Sequence, residues 1–161
     1  MGTEQEWKIL LVEDDDLNRE AMEEWLVDEG FDVIAVEDGP SALKQLHDGI
    51  AVLITDLKLP GTSGLDLLRQ VKTQAPHVSV ILVTGHGSVE TAVKALKEGA
   101  FDYLTKPVNL QELTHRVRQA LEKQSMTTEI ARLHSQLQEK QGFGEFVGKS
   151  APMRHIFEKI R

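Results

Sequence analysis

A strand-like apolar segment followed by turn residues lies at the centre of the fold prediction. It is found in residues 53–61, Leu53-Ile54-Thr55-Asp56-Leu57-Lys58-Leu59-Pro60-Gly61. An apolar run from Ala51 to Ile54 predicts a short buried strand that ends at the carboxylate of Asp56. A lysine, a proline and a glycine follow, and they indicate a loop. We therefore expect Asp56 at the carboxyl end of a core strand, where open α/β sheets place their chemistry.

Four more segments predict strands, and helical patterns alternate with all five. The predicted strands are residues 7–12, 31–36, 51–55, 78–83 and 101–104. Apolar side chains at helical spacing follow the first strand at Leu17, Ala21, Met22, Trp25 and Leu26. Helix starts are predicted at Asp15 or Asp16, Pro40, Ser63 with Asp66, Ser88, and Asn109 with Glu112. This alternation predicts an α/β fold with a doubly wound, flavodoxin-like parallel sheet in the order 2-1-3-4-5.

The composition restricts the class of protein. The chain has 161 residues, a net charge of −8 and no cysteine. No apolar run approaches the roughly 20 residues of a membrane helix, and no secretory signal is recognised. The absence of cysteine excludes disulfides and thiolate metal sites and fits a reducing cytoplasm, so we expect a cytoplasmic protein. The negative charge disfavours direct binding to nucleic acid and suits a cation site or a protein partner.

Acidic side chains end two predicted strands that are neighbours in such a sheet. Glu13 and Asp14 follow the first strand, and Asp56 follows the third. Three carboxylates in one crevice require either a bound cation or a protonated carboxyl group. Oxygen ligands of this kind suit Mg²⁺. The alternative, an acidic helix N-terminus favoured by the helix dipole, is preferred only for Asp15 and Asp16.

A hydroxyl and an ammonium end the last two strands. Lys106 completes a cluster of three negative charges, and a phosphoryl group would give its ammonium a charge-assisted partner, while Thr84 offers a hydroxyl donor at the end of the fourth strand. A solvated lysine and a helix-capping threonine are the simpler readings of these two residues alone. Tyr103 lies three residues before Lys106 and is either a movable switch residue or a half-buried aromatic at the sheet edge.

The C-terminal part of the chain predicts a long helix. Met126, Ile130, Leu133 and Leu137 are spaced by 4, 3 and 4 residues, which is the phase of a coiled coil. A short dimerising helix is preferred here over a solvated linker. Gly142 and Gly144 are expected to break the helix, and Gly148-Lys149-Ser150 is not a phosphate loop, because the earlier glycine of that motif is missing.

Together these residues resemble the receiver domain of two-component response regulators. The matching motifs are Glu13-Asp14, Asp56 with Pro60-Gly61 and Gly64, Thr84-Gly85, and Lys106-Pro107. The resemblance implies that Asp56 accepts a phosphoryl group from a sensor histidine kinase. It also implies that Asp14, Asp56 and the Lys58 carbonyl bind Mg²⁺, with Glu13 acting directly or through water. Thr84 and Lys106 would then hold the phosphoryl oxygens.

The same resemblance implies a two-state switch. Movement of Thr84 would let Tyr103 turn inward and change the face formed by the fourth helix, the fifth strand and the fifth helix. Lys58 and His86 would set the lifetime of the aspartyl phosphate, and the Lys106-Pro107 bond would be cis. Such a domain is no enzyme beyond catalysing its own phosphorylation and dephosphorylation.

The segment 146–153 is similar to the opening of the AAA+ ATPase domain in sigma-54-dependent transcription activators of the nitrogen regulatory protein C type. The expected organisation is a receiver at 7–122, a linker helix at 123–141 and the start of a truncated ATPase domain at 142–161. A homodimer is expected, and sigma-54 RNA polymerase and DNA would be contacted through missing domains. This fragment itself is expected to bind neither nucleic acid nor membrane.

Three alternatives compete with this interpretation. A stand-alone receiver or phosphorelay protein without an output domain is the nearest one. A haloacid-dehalogenase-type phosphatase needs a second aspartate two residues after the first, and that position is Lys58. A flavin or dinucleotide module needs a phosphate-binding turn after the first strand, and this turn is acidic.

Overall fold

The structure is a computed structural model that describes residues 7–47, 49–85 and 89–144. Strands and helices alternate along the described chain. The strands are β1 (Lys8–Val12), β2 (Asp32–Val36), β3 (Ile50–Asp56), β4 (Ser79–Thr84) and β5 (Asp102–Thr105). The helices are α1 (Asp16–Asp28), α2 (Gly39–Gln45), α3 (Gly64–Gln74), α4 (Val89–Lys97) and α5 (Leu110–Gly144).

The five strands form one parallel sheet in the order β2-β1-β3-β4-β5. The fold class and the strand order predicted from the sequence are therefore confirmed. Two consecutive strands of a parallel sheet need a crossover, and a helix provides it in every connection here. All five strands consequently end at the same edge of the sheet, which is the edge that carries Asp56.

Two apolar clusters cover the two faces of the sheet. Every residue of β3 and β4 is buried, and their apolar residues form continuous runs at 50–54 and 80–83 instead of alternating with polar ones. On one face Leu53 and Leu82 pack with α3, and on the other Ile54 and Ile81 pack with α1 and α5. Full burial of one such side chain contributes roughly 1.5–3 kcal/mol. The centre of the sheet is therefore a rigid base for the residues at its carboxyl edge.

Side-chain caps fix where the helices begin. Asp15, rather than Asp16, caps α1 by accepting a hydrogen bond from the Asn18 N–H. Ser63 accepts one from the Asp66 N–H, and Asn109 accepts one from the Glu112 N–H, as the sequence predicts. The predicted cap at Ser88 lies outside the described residues.

The predicted inner face of α1 differs from the observed one. Met22 and Leu26 are the buried residues of α1, whereas Leu17 and Ala21 are exposed. Leu17 precedes Met22 by five residues, which places it about 140° around the helix. In α4 the buried residue is Ala95, so Val89, Val93 and Leu96 face solvent at exposed fractions of 80%, 43% and 47%. Ala95, instead of the larger apolar residues of α4, packs into the cluster that covers this face of the sheet.

The helix α5 continues to Gly144, although the sequence predicts a break at Gly142. A glycine within a helix costs only about 1 kcal/mol relative to alanine, so it lowers helix stability without necessarily ending the helix. The chain divides into two compact units, one ending at Gln124 and the other beginning at Ser125. The predicted ATPase segment from residue 145 onward lies outside the described residues. Among the described residues, no helix combines the length and the hydrophobicity that spanning a lipid bilayer requires.

Gly64, the first residue of α3, lies against the backbone of Asp56 and Leu57. Its N–H donates to the Leu57 carbonyl at 2.7 Å. A Cβ atom at this position would lie 2.8 Å from the Leu57 Cα and would also collide with the Asp56 carbonyl oxygen. The absence of a side chain therefore allows the start of α3 to lie directly against the backbone of Asp56 and Leu57.

We expect Gly64→Ala to destabilise the protein by about 1–3 kcal/mol, because the clash involves backbone that has no side chain to move aside. The measurement is urea unfolding monitored by circular dichroism. Gly39→Ala is the matched control, since Gly39 is also the first residue of a capped helix and its Cβ would make ordinary contacts at 3.5 Å with Thr62. Equal free energies of unfolding for the two variants would contradict the prediction.

Candidate functional site

The strand register places the chemistry-bearing residues at one edge. Val12 pairs with Thr55, so Glu13 emerges beside Asp56. On the other side of β3, Asp56 pairs with Val83, which precedes Thr84. Parallel pairing thus brings residues from distant parts of the sequence to neighbouring positions.

Three carboxylates and one ammonium meet in this crevice. One carboxylate oxygen from each of Glu13, Asp14 and Asp56 lies within 4.8 Å of the other two. The Lys106 Nζ donates to Asp56 Oδ2 at 2.6 Å and lies 3.7 Å from Glu13 Oε1. The structure brings these four side chains together, as the pattern of strand ends predicts, and their roles stay predictions.

Glu13 is the most enclosed of the three acids. The residue is only 4% exposed. Burial raises the pKa of its carboxyl group, although the hydrogen bond from the Asp15 N–H at 3.0 Å and the charge of Lys106 oppose the rise. The charges of Asp56 and Asp14 raise this pKa further. A cation that enters the crevice would relieve this cost of ionising Glu13.

Lys106 supplies positive charge to the crevice. Partial burial disfavours the charged form of its side chain. The hydrogen bond to Asp56 and the negative charge of Asp56 have the opposite effect, and the charges of Glu13 and Asp14 add to it. Together they raise the pKa of the ammonium group above its usual value. Lys106 therefore stays protonated at neutral pH. The Lys106-Pro107 peptide bond is cis, which confirms the expectation from the resemblance.

Asp56 lies at the base of the crevice. The residue is 8% exposed, and its Oδ1 accepts a hydrogen bond from the Lys58 N–H at 3.2 Å. The Leu57 N–H donates to the Val83 carbonyl, which ties the start of the following loop to β4. The Lys58 side chain is exposed, and Gly61 turns the loop with a φ of +79°. The carboxylate therefore has a fixed orientation within an otherwise open loop.

Thr84 and Tyr103 lie in the part of the sheet nearest α4. Thr84 is 1% exposed, and its carbonyl accepts a hydrogen bond from the Lys106 N–H at 2.8 Å. Tyr103 is half-buried against the cluster that contains Leu82 and Ala95. Its hydroxyl is buried and has no hydrogen-bond partner among the described residues, and burial raises its pKa. His86, a predicted modulating residue, lies outside the described residues.

The donor set of the crevice fits a hard divalent cation. It consists of carboxylate oxygens, with the open loop at Lys58 able to add a carbonyl oxygen, and such ligands suit Mg²⁺. One of the three acids, Asp14, is exposed, so the cluster is accessible from solvent. The net negative charge of three acids against one lysine favours a further cation.

Sequence reasoning missed Arg19 and assigned no structural role to Gly64. Arg19 donates to the Glu13 carbonyl, and Gly64 allows α3 to approach Asp56. Arg19 lies three residues after Asp16, at the spacing of a helical ion pair, but that signal alone does not indicate a contact with the preceding loop. The sequence indicates Gly64 only as part of the motif around Asp56, and its packing becomes evident only when α3 is placed.

The sequence and the structure were compared with known proteins. Residues 9–118 match the family model described as "Response regulator receiver domain". The C4-dicarboxylate transport transcriptional regulatory protein DctD of Pseudomonas aeruginosa is 36% identical over 155 residues, which are 95% of this chain and 34% of DctD. The chain spans about a third of the length of the first curated relatives that it matches.

Two solved structures extend the comparison. NtrX from Brucella abortus in complex with ATP is similar with a TM-score of 0.74 and 32% identity, covering 96% of this chain and 34% of NtrX. The beryllofluoride-activated NtrC4 receiver domain dimer gives a TM-score of 0.69 and 30% identity, covering 73% of this chain and 98% of that one. Because the family model spans most of the folded unit and its crevice, the chain belongs to the response regulator receiver family.

Proposed function

We propose that this chain is a phosphorylation-controlled signalling switch in which Asp56 is the phosphoacceptor. The observation that carries the proposal is the arrangement around Asp56. Its carboxylate is paired with Lys106 at 2.6 Å and clustered with the carboxylates of Glu13 and Asp14 at the edge of a rigid sheet. The receiver family matched above supports the same role for an aspartate at this position.

The acceptor reaction is a transfer between two partners. A carboxylate oxygen of Asp56 forms a bond to the phosphorus of a phosphohistidine on the sensor kinase. The phosphorus–nitrogen bond breaks, and its electron pair returns to the histidine ring. Because phosphoryl transfer depends mainly on positioning and charge, the fixed orientation of Asp56 is the main contribution of this chain.

A divalent cation completes the crevice. Asp14, Asp56 and the Lys58 carbonyl would hold Mg²⁺, and Glu13 would contact it directly or through water. When bound, the ion would neutralise charge on the transferred phosphoryl group. Lys106 and Thr84 donate to the phosphoryl oxygens once Asp56 is modified. Lys58 and His86, two residues beyond Asp56 and Thr84, set the rate at which the acyl phosphate is hydrolysed.

The signal passes through β5. Thr84 moves toward the phosphoryl group, and Tyr103 occupies the space beside it, which changes the surface formed by α4, β5 and residues 110–124 of α5. The Tyr103 hydroxyl is buried and has no partner within the described part of the chain. This supports the role, since such a group costs about 1–3 kcal/mol and leaves the ring free to adopt a second position at small cost.

The domain that this switch controls belongs to a longer protein. The proposed organisation is a receiver at 7–122, a linker helix at 123–141 and the beginning of an AAA+ domain from 142. The similarity to the transcriptional regulator DctD over 95% of this chain supports a regulatory fragment of a cytoplasmic, sigma-54-dependent activator. The alternative is a stand-alone receiver or phosphorelay protein, which the similarity beyond residue 122 disfavours.

A second copy of the chain is the proposed partner of the linker helix. Met126, Ile130, Leu133 and Leu137 are 63%, 64%, 45% and 58% exposed, so the second unit presents a continuous apolar stripe. The coiled-coil spacing of the stripe matches that of an identical helix. The similar NtrC4 receiver domain was solved as a dimer in its beryllofluoride-activated form, which supports self-association of such chains.

We expect the protein to gain one acid-labile phosphoryl group when incubated with acetyl phosphate and Mg²⁺, and Asp56→Asn to abolish the gain. Intact-mass spectrometry measures the modification. Asp66→Asn is the matched control, because Asp66 is an exposed aspartate of α3 that pairs with Arg69 outside the crevice. Labelling of the Asp56→Asn variant at the rate of the parent would contradict the proposal, and continuous turnover of the donor without labelling would indicate a phosphatase.

We expect Asp14→Asn to weaken Mg²⁺ binding at least about tenfold, equivalent to ~1.4 kcal/mol, because one charged ligand is removed. Isothermal titration calorimetry gives the dissociation constant. Asp28→Asn, at the opposite end of α1, is the control and should bind like the parent. Equal Mg²⁺ affinity in parent and Asp14→Asn would remove Asp14 from the cation site.

We expect Ile130→Asp to weaken dimerisation at least about tenfold, because a charge would be buried in an apolar seam. Light scattering at several protein concentrations, with and without beryllofluoride, measures the oligomer. Ser135→Asp adds the same charge at a position outside the stripe and should leave the dimer intact. A parent protein that stays monomeric at high micromolar concentration in both states would refute the proposed dimer.

A further inference from the structure

Arg19, in the second turn of α1, contacts the backbone of the acidic loop without reaching the crevice itself. Its Nη1 donates to the Glu13 carbonyl at 2.9 Å, and its Nη2 donates to Asp16 Oδ1 at 2.6 Å. The side chain is 20% exposed, so most of it is enclosed. One guanidinium group therefore connects the end of β1 to the first turn of α1.

The Glu13 carbonyl belongs to the peptide group that joins Glu13 to Asp14. Fixing this oxygen fixes the plane of that peptide, and the peptide plane sets the direction in which the Asp14 side chain leaves the backbone. The contact with Asp16 holds the guanidinium in place, because two N–H groups of a planar fork are engaged at once. Arg19 thus constrains the connection between the two acids that close the crevice.

The other hydrogen bonds of the loop fix Glu13 and do not restrict the orientation of Asp14. The Glu13 N–H donates to the Val36 carbonyl at 3.1 Å, and the Glu13 carboxylate accepts from the Asp15 N–H. Within residues 7–47, 49–85 and 89–144, no hydrogen bond reaches the Asp14 carboxylate. The orientation of Asp14 therefore depends on the backbone, and Arg19 is the side chain that fixes the backbone there.

If Arg19 acted only through its charge, its removal would change the affinity for the cation in the opposite direction. A positive charge near three carboxylates repels an incoming cation, so its removal would tighten cation binding. The neighbours of Arg19 oppose this effect, since its guanidinium is paired with Asp16 and further stabilised by the charges of Glu37 and Glu20. Geometry and charge thus predict opposite changes in affinity, which makes the two roles distinguishable.

We infer that Arg19 is a positioning residue for the divalent-cation site, acting by fixing the peptide between Glu13 and Asp14. The inference rests on the proposed function, because it assumes that these acids bind Mg²⁺. Residues that orient ligands without touching a metal typically change its affinity by about 10–100-fold when they are mutated.

The test is Mg²⁺ titration of Arg19→Gln and Arg19→Lys by calorimetry, together with thermal unfolding without Mg²⁺. We expect both variants to bind Mg²⁺ about tenfold more weakly than the parent, because glutamine and lysine each lack the planar fork that engages both oxygens. We also expect the phosphorylation rate with acetyl phosphate to recover at saturating Mg²⁺, since Arg19 touches no reacting atom.

Arg132→Gln is the matched control. In the second unit, Arg132 forms an ion pair with Glu129, three residues earlier in the helix, as Arg19 does with Asp16. This variant should bind Mg²⁺ like the parent. Unchanged or tighter binding in Arg19→Gln would overturn the inference, as would parent-like binding in Arg19→Lys or a rate that stays low at saturating Mg²⁺. Failure of the parent itself to bind Mg²⁺ would instead refute the proposed function.

Discussion

The repulsion among three neighbouring carboxylates is the constraint on which this site depends. Two unit charges about 4–5 Å apart interact with roughly 3–4 kcal/mol at an effective dielectric constant of 20, and the folded state as a whole is stable by only about 5–15 kcal/mol. The cluster of Glu13, Asp14 and Asp56 is therefore costly without a counter-charge. The ammonium of Lys106, at 2.6 Å from Asp56, provides part of it.

The sheet makes this unfavourable arrangement possible. Fully buried central strands and helices on both faces hold the ends of β1 and β3 in fixed register, so the buried carboxylates of Glu13 and Asp56 have little room to move apart. The close approach of Gly64 to the backbone of Asp56 and Leu57 restricts the loop further. Strain of this kind persists at functional sites because the surrounding packing compensates for it.

The parts of the structure that follow from periodicity and topology were predictable from the sequence. Apolar runs in the sequence indicate the strand positions. The geometry of parallel sheets then gives the strand order and brings Asp56 close to Lys106, so these features can be inferred from the sequence. The orientation of α4 was not predictable, because Ala95 rather than its larger neighbours faces the sheet. A hydrophobic pattern shows that a helix has an apolar side without showing that the apolar side is buried.

The contact of Arg19 was unpredictable for a related reason. It joins a side chain to a backbone oxygen six residues earlier, across a loop whose path depends on the cap at Asp15 and on pairing with β2. Backbone carbonyl groups carry no sequence signature, so contacts of this kind appear only when the loop is placed. The residues that supply charge to the crevice can thus be recognised by type and position, whereas those that set its geometry must be identified from contacts. If the proposed cation site is correct, a chain with the same three acids and a different residue at position 19 would retain the charge of the cluster and lose part of its affinity for the cation.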